Sequence, residues 1–332
     1  MTIPLSILDL APIAPGQTAR ESFAGSVALA QSAEEHGYTR VWYAEHHNMP
    51  TIASSATGIL IGHVAEHTRA IRLGAGGVML PNHSPLTIAE QYGTLAELYP
   101  GRIDLGLGRA PGSDQTTARA MRRDPRASDQ FPQDVVELQA YLRGESVVPG
   151  VQAVPGAGTD VPLYILGSSL FGAQLAARLG LPYAFASHFA PDSLFDAVAG
   201  YRRDFVPSRQ LAAPHVIVGV NVIAADDQAD ATHQFETARR ARVRGMMARG
   251  PAAPDYSDAQ IDAFLTTNEG RQIVNMMRYS AVGTPDVVRE FLADFAAATQ
   301  ADELIIAHAS RDITDRLRSV ALTAGAMNAV TV

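Results

Sequence analysis

Eight short, apolar, β-rich runs alternate with amphipathic segments along nearly the whole chain, and this alternation restricts the fold more than any other feature. The runs are Leu5–Leu10, Arg40–Tyr43, Ile71–Leu80, Ile103–Gly108, Leu163–Leu166, Tyr183–Ala186, Val216–Ala224 and Glu303–His308. Helical patterns separate them: Ser22–His36, Ser54–Glu66, Leu86–Leu98, Gln133–Leu142, Phe171–Leu179, Asp192–Asp204, a long region Asp226–Met277, and Pro285–Ala297; a last helix is expected over Ile313–Ala326. Runs that are apolar throughout, such as Val216–Ala224, suit a parallel sheet covered on both faces. Eight strands with intervening helices is the count of a (β/α)8 barrel, which usually takes about 250 residues. With 332 residues, the chain is therefore expected to be an α/β protein, a single (β/α)8 TIM barrel domain with insertions after the fourth and seventh strands. Gly112–Gly158 and Asp226–Met277 can hold the surplus, and the second contains the turn-rich segment Gly250–Asp258. A doubly wound sheet is the competing arrangement. It usually carries G-x-G-x-x-G, and the stretches beginning at Gly74 and Gly106 break that pattern at Met79 and Pro111.

Composition removes several classes of chemistry. Cysteine is absent, which excludes disulfides, thiolate metal sites and Cys nucleophiles. Lysine is absent too, so all 26 basic residues are Arg, and neither Schiff-base chemistry nor a Walker lysine is available. A net charge of −8 argues against generic nucleic-acid binding. No apolar run approaches the roughly 20 residues that cross a bilayer. Met1–Pro12 has no basic leader region, so a cytoplasmic location is expected.

In a barrel, function collects at the C-terminal ends of the strands. Glu45-His46-His47 follow the second run, and they suit acid/base work, ligand contact or a structural His–carboxylate pair. Neighbouring strand residues face opposite ways, so His46 and His47 cannot easily share a metal. Leu166-Gly167-Ser168-Ser169 lead into a helix opening near Leu170. Backbone N–H groups at a helix N-terminus plus two hydroxyls make an anion site, although Ser is also a common helix cap. Arg109, in a Gly-rich loop after the fourth run, supplies planar charge-assisted donors for phosphate. Gly76–Gly77 allow close backbone approach to a flat ligand, or tight packing inside the barrel. His83, His188 and His308 are individually weak signals.

Four segments taken in order carry a family resemblance: AEHHNMP (Ala44–Pro50), RLGAGGVMLPNHSPLTIAEQYGTLAELYPGRIDLGLGRAPG (Arg72–Gly112), LGSSLFGAQLAARLGLPYAFASHF (Leu166–Phe189) and VGTPDVV (Val282–Val288). Together they resemble the bacterial luciferase-like monooxygenases, in the branch of single-chain flavoproteins rather than light-emitting luciferase. The resemblance implies a barrel that binds FMN at its C-terminal mouth. Arg109 then grips the FMN phosphate. Gly167, Ser168, Ser169 and the backbone around Leu170 complete the phosphate cradle. Gly76–Gly77 hold a non-proline cis peptide against the flavin, and His46 lies beside its reactive face, with Glu45 orienting a neighbouring histidine. The implied reaction is a two-component monooxygenation, in which a flavin reductase supplies reduced FMN and O2 is used on a small organic substrate. An F420-dependent dehydrogenase or a non-catalytic flavin-binding protein are the alternatives. The resemblance also implies self-association through the second and third helices and a mobile lid within 226–280. One departure stands out: luciferase has a cysteine just before the arginine, and here Gly108 occupies that place.

Overall fold

A computed structural model describes residues 3–110, 114–124, 126–247 and 256–328. Among them nine parallel strands form one sheet: β1 (Leu5–Asp9), β2 (Arg40–Tyr43), β3 (Arg72–Met79), β4 (Ile103–Gly108), β5 (Leu163–Gly167), β6 (Tyr183–Phe185), β7 (Val216–Ala224), β8 (Ser280–Gly283) and β9 (Glu303–His308). The order is β6-β5-β4-β3-β2-β1-β9-β7-β8, and a further β6–β7 pairing closes the barrel through eight strands. The outer layer comprises α1 (Ala19–Glu35), α2 (Thr57–Glu66), α3 (Pro85–Leu98), α4 (Gln115–Ala120), α5 (Phe131–Arg143), α6 (Leu170–Leu179), α7 (Leu194–Asp204), α8 (Gln228–Met247), α9 (Asp258–Leu265), α10 (Asn268–Met276), α11 (Pro285–Thr299) and α12 (Ile313–Asn328). No helix among the described residues is long and apolar enough to cross a membrane.

The eight barrel strands coincide with the eight apolar runs, and the insertions follow β4 and β7. Differences lie at the boundaries. α1 starts three residues earlier than its apolar periodicity indicates, because Thr18 and Glu21 form a reciprocal capping box. Gly37 takes φ +77° just past α1, the left-handed position that favours glycine. Thr284 is the N-cap residue of α11, with Pro285 at the first position, and its hydroxyl makes no capping bond. The long 226–277 region divides into α8, α9 and α10; residues 250–255 of its turn-rich segment lie outside the described residues. β8 was not expected. β7 runs nine residues while β6 runs three, so the upper half of the β7 edge extends past its neighbour. β8 covers that edge by pairing Ser280–Gly283 with Asn221–Ala224.

Side chains alternate between the outer core and the barrel interior along each strand. Leu8, Trp42, Ala44, Tyr164, Ala184, Ile217 and Ile305 form the inner apolar cluster. Beneath them, at the first residues of β2 and β9 and near the start of β4, lies a buried ionic layer. The Arg40 guanidinium donates from Nη1 to Asp104 Oδ2 (2.8 Å) and to the Tyr164 hydroxyl (2.7 Å), and from Nε to Glu303 Oε1 (2.9 Å). Arg72 and the Trp42 indole N–H add donors to Asp104, and Ser6 adds one to Glu303. Arg40, Asp104 and Glu303 are 7%, 0% and 1% exposed, so the layer stands only because each charge is paired. Arg40→Ala should leave buried Glu303 without its arginine and Asp104 with Arg72 alone, and cost about 3–5 kcal/mol, read as a shift in urea-unfolding midpoint.

Candidate active site

β2 places Arg40, Trp42 and Ala44 inward, and the same alternation carries His46 inward at the mouth. His46 is partly buried and its shielded Nδ1 has no hydrogen-bond partner among the described residues. Burial holds its pKa below the usual imidazole value, so it is neutral near pH 7. Glu45, next in line, turns outward. Nε2 of His47 donates to it at 2.7 Å, Nε2 of His83 at 2.9 Å, and the Met79 backbone N–H at 3.0 Å. Burial opposes the charge on Glu45, yet these donors outweigh it and hold the carboxyl below its usual range. Glu45 therefore ties the ends of β2 and β3 together and does not hydrogen-bond His46. Among the described residues no group of three or more His, Cys, Asp or Glu is placed to hold a metal ion.

The Gly76–Gly77 peptide is cis, and the β3–β4 register shifts there, between Ala75 and Val78. Both glycines are also required by packing. A Cβ on Gly76 would lie 2.9 Å from Leu8 Cδ1 and Trp42 Cβ, and one on Gly77 would lie 2.8 Å from the Gly106 carbonyl oxygen. At Gly108 a Cβ would meet Met79 Sδ at 3.1 Å, so the place of the luciferase cysteine is also crowded.

Arg109 and the opening of α6 come together. The guanidinium carbon sits 4.0 Å from the Phe171 ring centroid, stacked over the first turn of the helix. Its guanidinium makes no hydrogen bond or ion pair among the described residues, and Pro111 and Gly112 of the same loop lie outside them. Ser169 is the N-cap residue, but its side chain accepts no bond from the helix, so plain capping does not account for it. Tyr183 Oη donates to the Ser169 carbonyl at 3.1 Å and fixes the loop from behind. Gly167, Ser168, Ser169 and Leu170 thus present the α6 N-terminus and an uncommitted hydroxyl beside a cation. These groups fit a phosphate-bearing flavin.

Sequence reasoning undervalued His188 and overlooked Arg242. His188 follows β6 and packs over the inner face of β7, where a Cβ on Gly219 would lie 2.4 Å from its Nδ1. Asn221 Nδ2 donates to the His188 carbonyl at 2.8 Å and holds that loop. Burial, then the charges of Arg242 and His46, push the His188 pKa down to about 3. The signal was present: Ala184, Ala186 and His188 share one strand parity. His308 lies on the outer side, with Nδ1 2.8 Å from Ser319 Oγ, and is a packing residue; burial pushes it down to about 3 as well. Two concavities lie elsewhere, one beside Arg143, Leu163 and Arg209, the other between Phe235, Val274 and Met277; neither is lined by His46, Arg109 or Ser169.

Because Glu45 is held below its unfolded carboxylate pKa of about 4.3, its contribution to stability is complete above that value. It is lost as pH falls through the lower folded value. Glu45→Gln should cost about 1–3 kcal/mol at pH 7, and the gap to the unaltered protein should close below about pH 4, as read by thermal unfolding across pH.

The sequence profile of the luciferase-like monooxygenases matches residues 3–302. A luciferase-like monooxygenase of Escherichia coli K12 is 50% identical over 323 residues, covering 97% of this chain and 96% of its own. The N-acetyl-S-alkylcysteine monooxygenase of Bacillus subtilis is 41% identical over 189 residues, 55% of this chain and 57% of its own. Among solved structures, apo-MsnO8 superposes with a TM-score of 0.88 at 37% identity, covering 98% of each chain. More distant structures share the fold: the oxygenating constituent of a Pseudomonas putida diketocamphane monooxygenase in complex with FMN (TM-score 0.72, 16% identity, 98% of each chain) and an F420-dependent secondary alcohol dehydrogenase (TM-score 0.72, 15% identity, 98% and 99%). The chain belongs to the luciferase-like monooxygenase family.

Proposed function

We propose that this chain is the oxygenating component of a two-component, FMN-dependent monooxygenase acting on a small organic substrate with O2. The observation that carries the reading is the Arg109 guanidinium stacked on Phe171 beside the open N-terminus of α6, with the Ser169 hydroxyl uncommitted. Arg109 and the Gly167–Leu170 loop hold the FMN phosphate, and the cis Gly76–Gly77 backbone presents a flat wall to the ring system. When bound, reduced FMN supplies the two electrons that O2 activation requires. The protein's own part is positioning, proton handling and water exclusion. His46, neutral through burial and with Nδ1 unpaired, accepts or returns a proton at that atom. Glu45 acts as a positioning residue, keeping the β2 and β3 ends in register. The α8–α10 insertion serves as the lid that shields the mouth. A separate flavin reductase delivers the reduced cofactor. Self-association through α2 and α3 is consistent with their exposed Ile59 and Leu98, 79% and 63% accessible.

Arg109→Ala should weaken FMN binding roughly ten- to a hundredfold by fluorescence titration, since charge-assisted phosphate bonds are lost; an unchanged Kd removes Arg109 from the site. The same titration with F420 distinguishes the deazaflavin alternative. His46→Ala should keep the FMN Kd within about twofold while abolishing coupled O2 consumption. In the unaltered protein, turnover should fall as pH drops through the depressed His46 pKa, below about 6.5, because the protonated ring no longer accepts.

A further inference from the structure

α8 presents Ala231, Phe235, Ala238 and Arg242 at intervals of four, three and four, so all four lie on one stripe of the helix. The first three pack on Ile223 and Ala225 above β7 and on Ala309 after β9, so this stripe faces the top of the barrel. Gln234 is tied to the same place by a 2.7 Å hydrogen bond from Ser310 Oγ. Arg242 is the charged member of the stripe. Its helix neighbours all find carboxylates: Arg239 pairs with Glu236, Arg240 with Asp262 at 2.8 Å, and Arg244 with Asp258 at 2.7 Å. Among the described residues Arg242 makes no hydrogen bond or ion pair, although it is partly buried and burial depresses its pKa. It lies close enough to His188 for its charge to act on that ring, and His46 acts on the same ring from across the barrel. Arg311, after β9, is a second partly buried arginine without a partner among the described residues, near enough to α8 to feel the charge of Arg244.

A shielded guanidinium without a counter-ion is unfavourable unless something else brings the anion. Arg109 already supplies a cation at the α6 N-terminus. We propose that Arg242 pairs with the acidic group of the organic substrate, so that this monooxygenase takes an organic-acid anion and anchors it against His188 and His46. The proposal rests on the functional reading above for the word substrate. The binding event itself can be measured without that reading.

FMN-loaded protein is titrated with hexanoate, octanoate and 3-phenylpropionate, each beside its primary amide, reading flavin absorbance. Each titration is repeated on flavin-free protein by thermal shift. At least one acid should bind about tenfold tighter than its amide, Arg242→Gln should erase that preference, and Arg242→Lys should keep most of it. FMN affinity should change less than about twofold in either variant. A panel in which no acid outbinds its amide overturns the proposal, as does a preference that survives Arg242→Gln. Weakened FMN binding with unchanged riboflavin binding in that variant would place Arg242 on the flavin phosphate instead. If FMN fails to bind the unaltered protein, the functional reading falls, while the flavin-free comparison still decides the role of Arg242.

Discussion

The ion-paired layer of Arg40, Asp104 and Glu303 at the base of the barrel is the constraint on which the site above depends. It joins the lower ends of β2, β4 and β9 across the interior. Its reach continues upward. The Trp42 indole N–H is held by Asp104 at 3.1 Å, and the Trp42 ring meets Tyr164 edge-on at 4.9 Å, while Tyr164 itself receives a bond from Arg40. Gly76 then sits directly on Trp42 and Leu8, at a distance that excludes any side chain. The position of the cis peptide at the mouth is thus set by a column of contacts rising from a charged floor. The apolar cluster alone could not provide such direction, because hydrophobic burial is non-directional whereas a bidentate guanidinium fixes its partners in space.

Charge is distributed with a consistent logic around this column. The carboxylates near the upper strand ends are turned outward and satisfied there: Glu45 by His47 and His83, Asp9 by Arg316 and Ser26. Inward at the same level stand His46 and His188, both kept neutral by burial. Among the described residues Arg109, Arg242 and Arg311 have no carboxylate partner. A chain of net charge −8 therefore offers unpaired cations and neutral imidazoles where a flavin phosphate and an acidic substrate are proposed to sit. Partial burial gives Arg242, Arg311 and the two imidazoles more effect than they would have in water, while Arg109 stands exposed.

Much of this was legible along the chain, and the limits of legibility have physical causes. The barrel strands were readable because each is apolar and bounded by turns. β8 was not, since Ser280–Gly283 has no apolar signature and is a strand only because the β7 edge is exposed beside it. The early start of α1 was written in the Thr18–Glu21 capping pair and passed over in favour of periodicity. At the candidate site, Arg109 and Ser169 announced themselves by residue type after strands, and Gly76–Gly77 by a glycine pair within one. His46 and Glu45 looked like one unit in the sequence, and the strand alternation sends them to opposite faces. His188 and Arg242 were hard to see because their meaning comes from one another and from the insertion that places α8 over the barrel.

The sequence by itself determined the barrel, its insertions, the family resemblance and the chemistry that is out of reach, because hydrophobic period, turn residues and the absence of cysteine and lysine act locally or by composition. Tertiary structure alone decided which charges are paired. Arg40 stands at a strand start, where a basic residue reads as solvent-exposed, and becomes the buried centre of an ionic floor. Arg242 lies in a run of arginines that reads as a solvated helix face, and among the described residues it is the one on α8 left without a counter-ion. The difference arises because desolvation and pairing depend on what other segments bring within a few ångströms, a quantity that no stretch of sequence carries on its own.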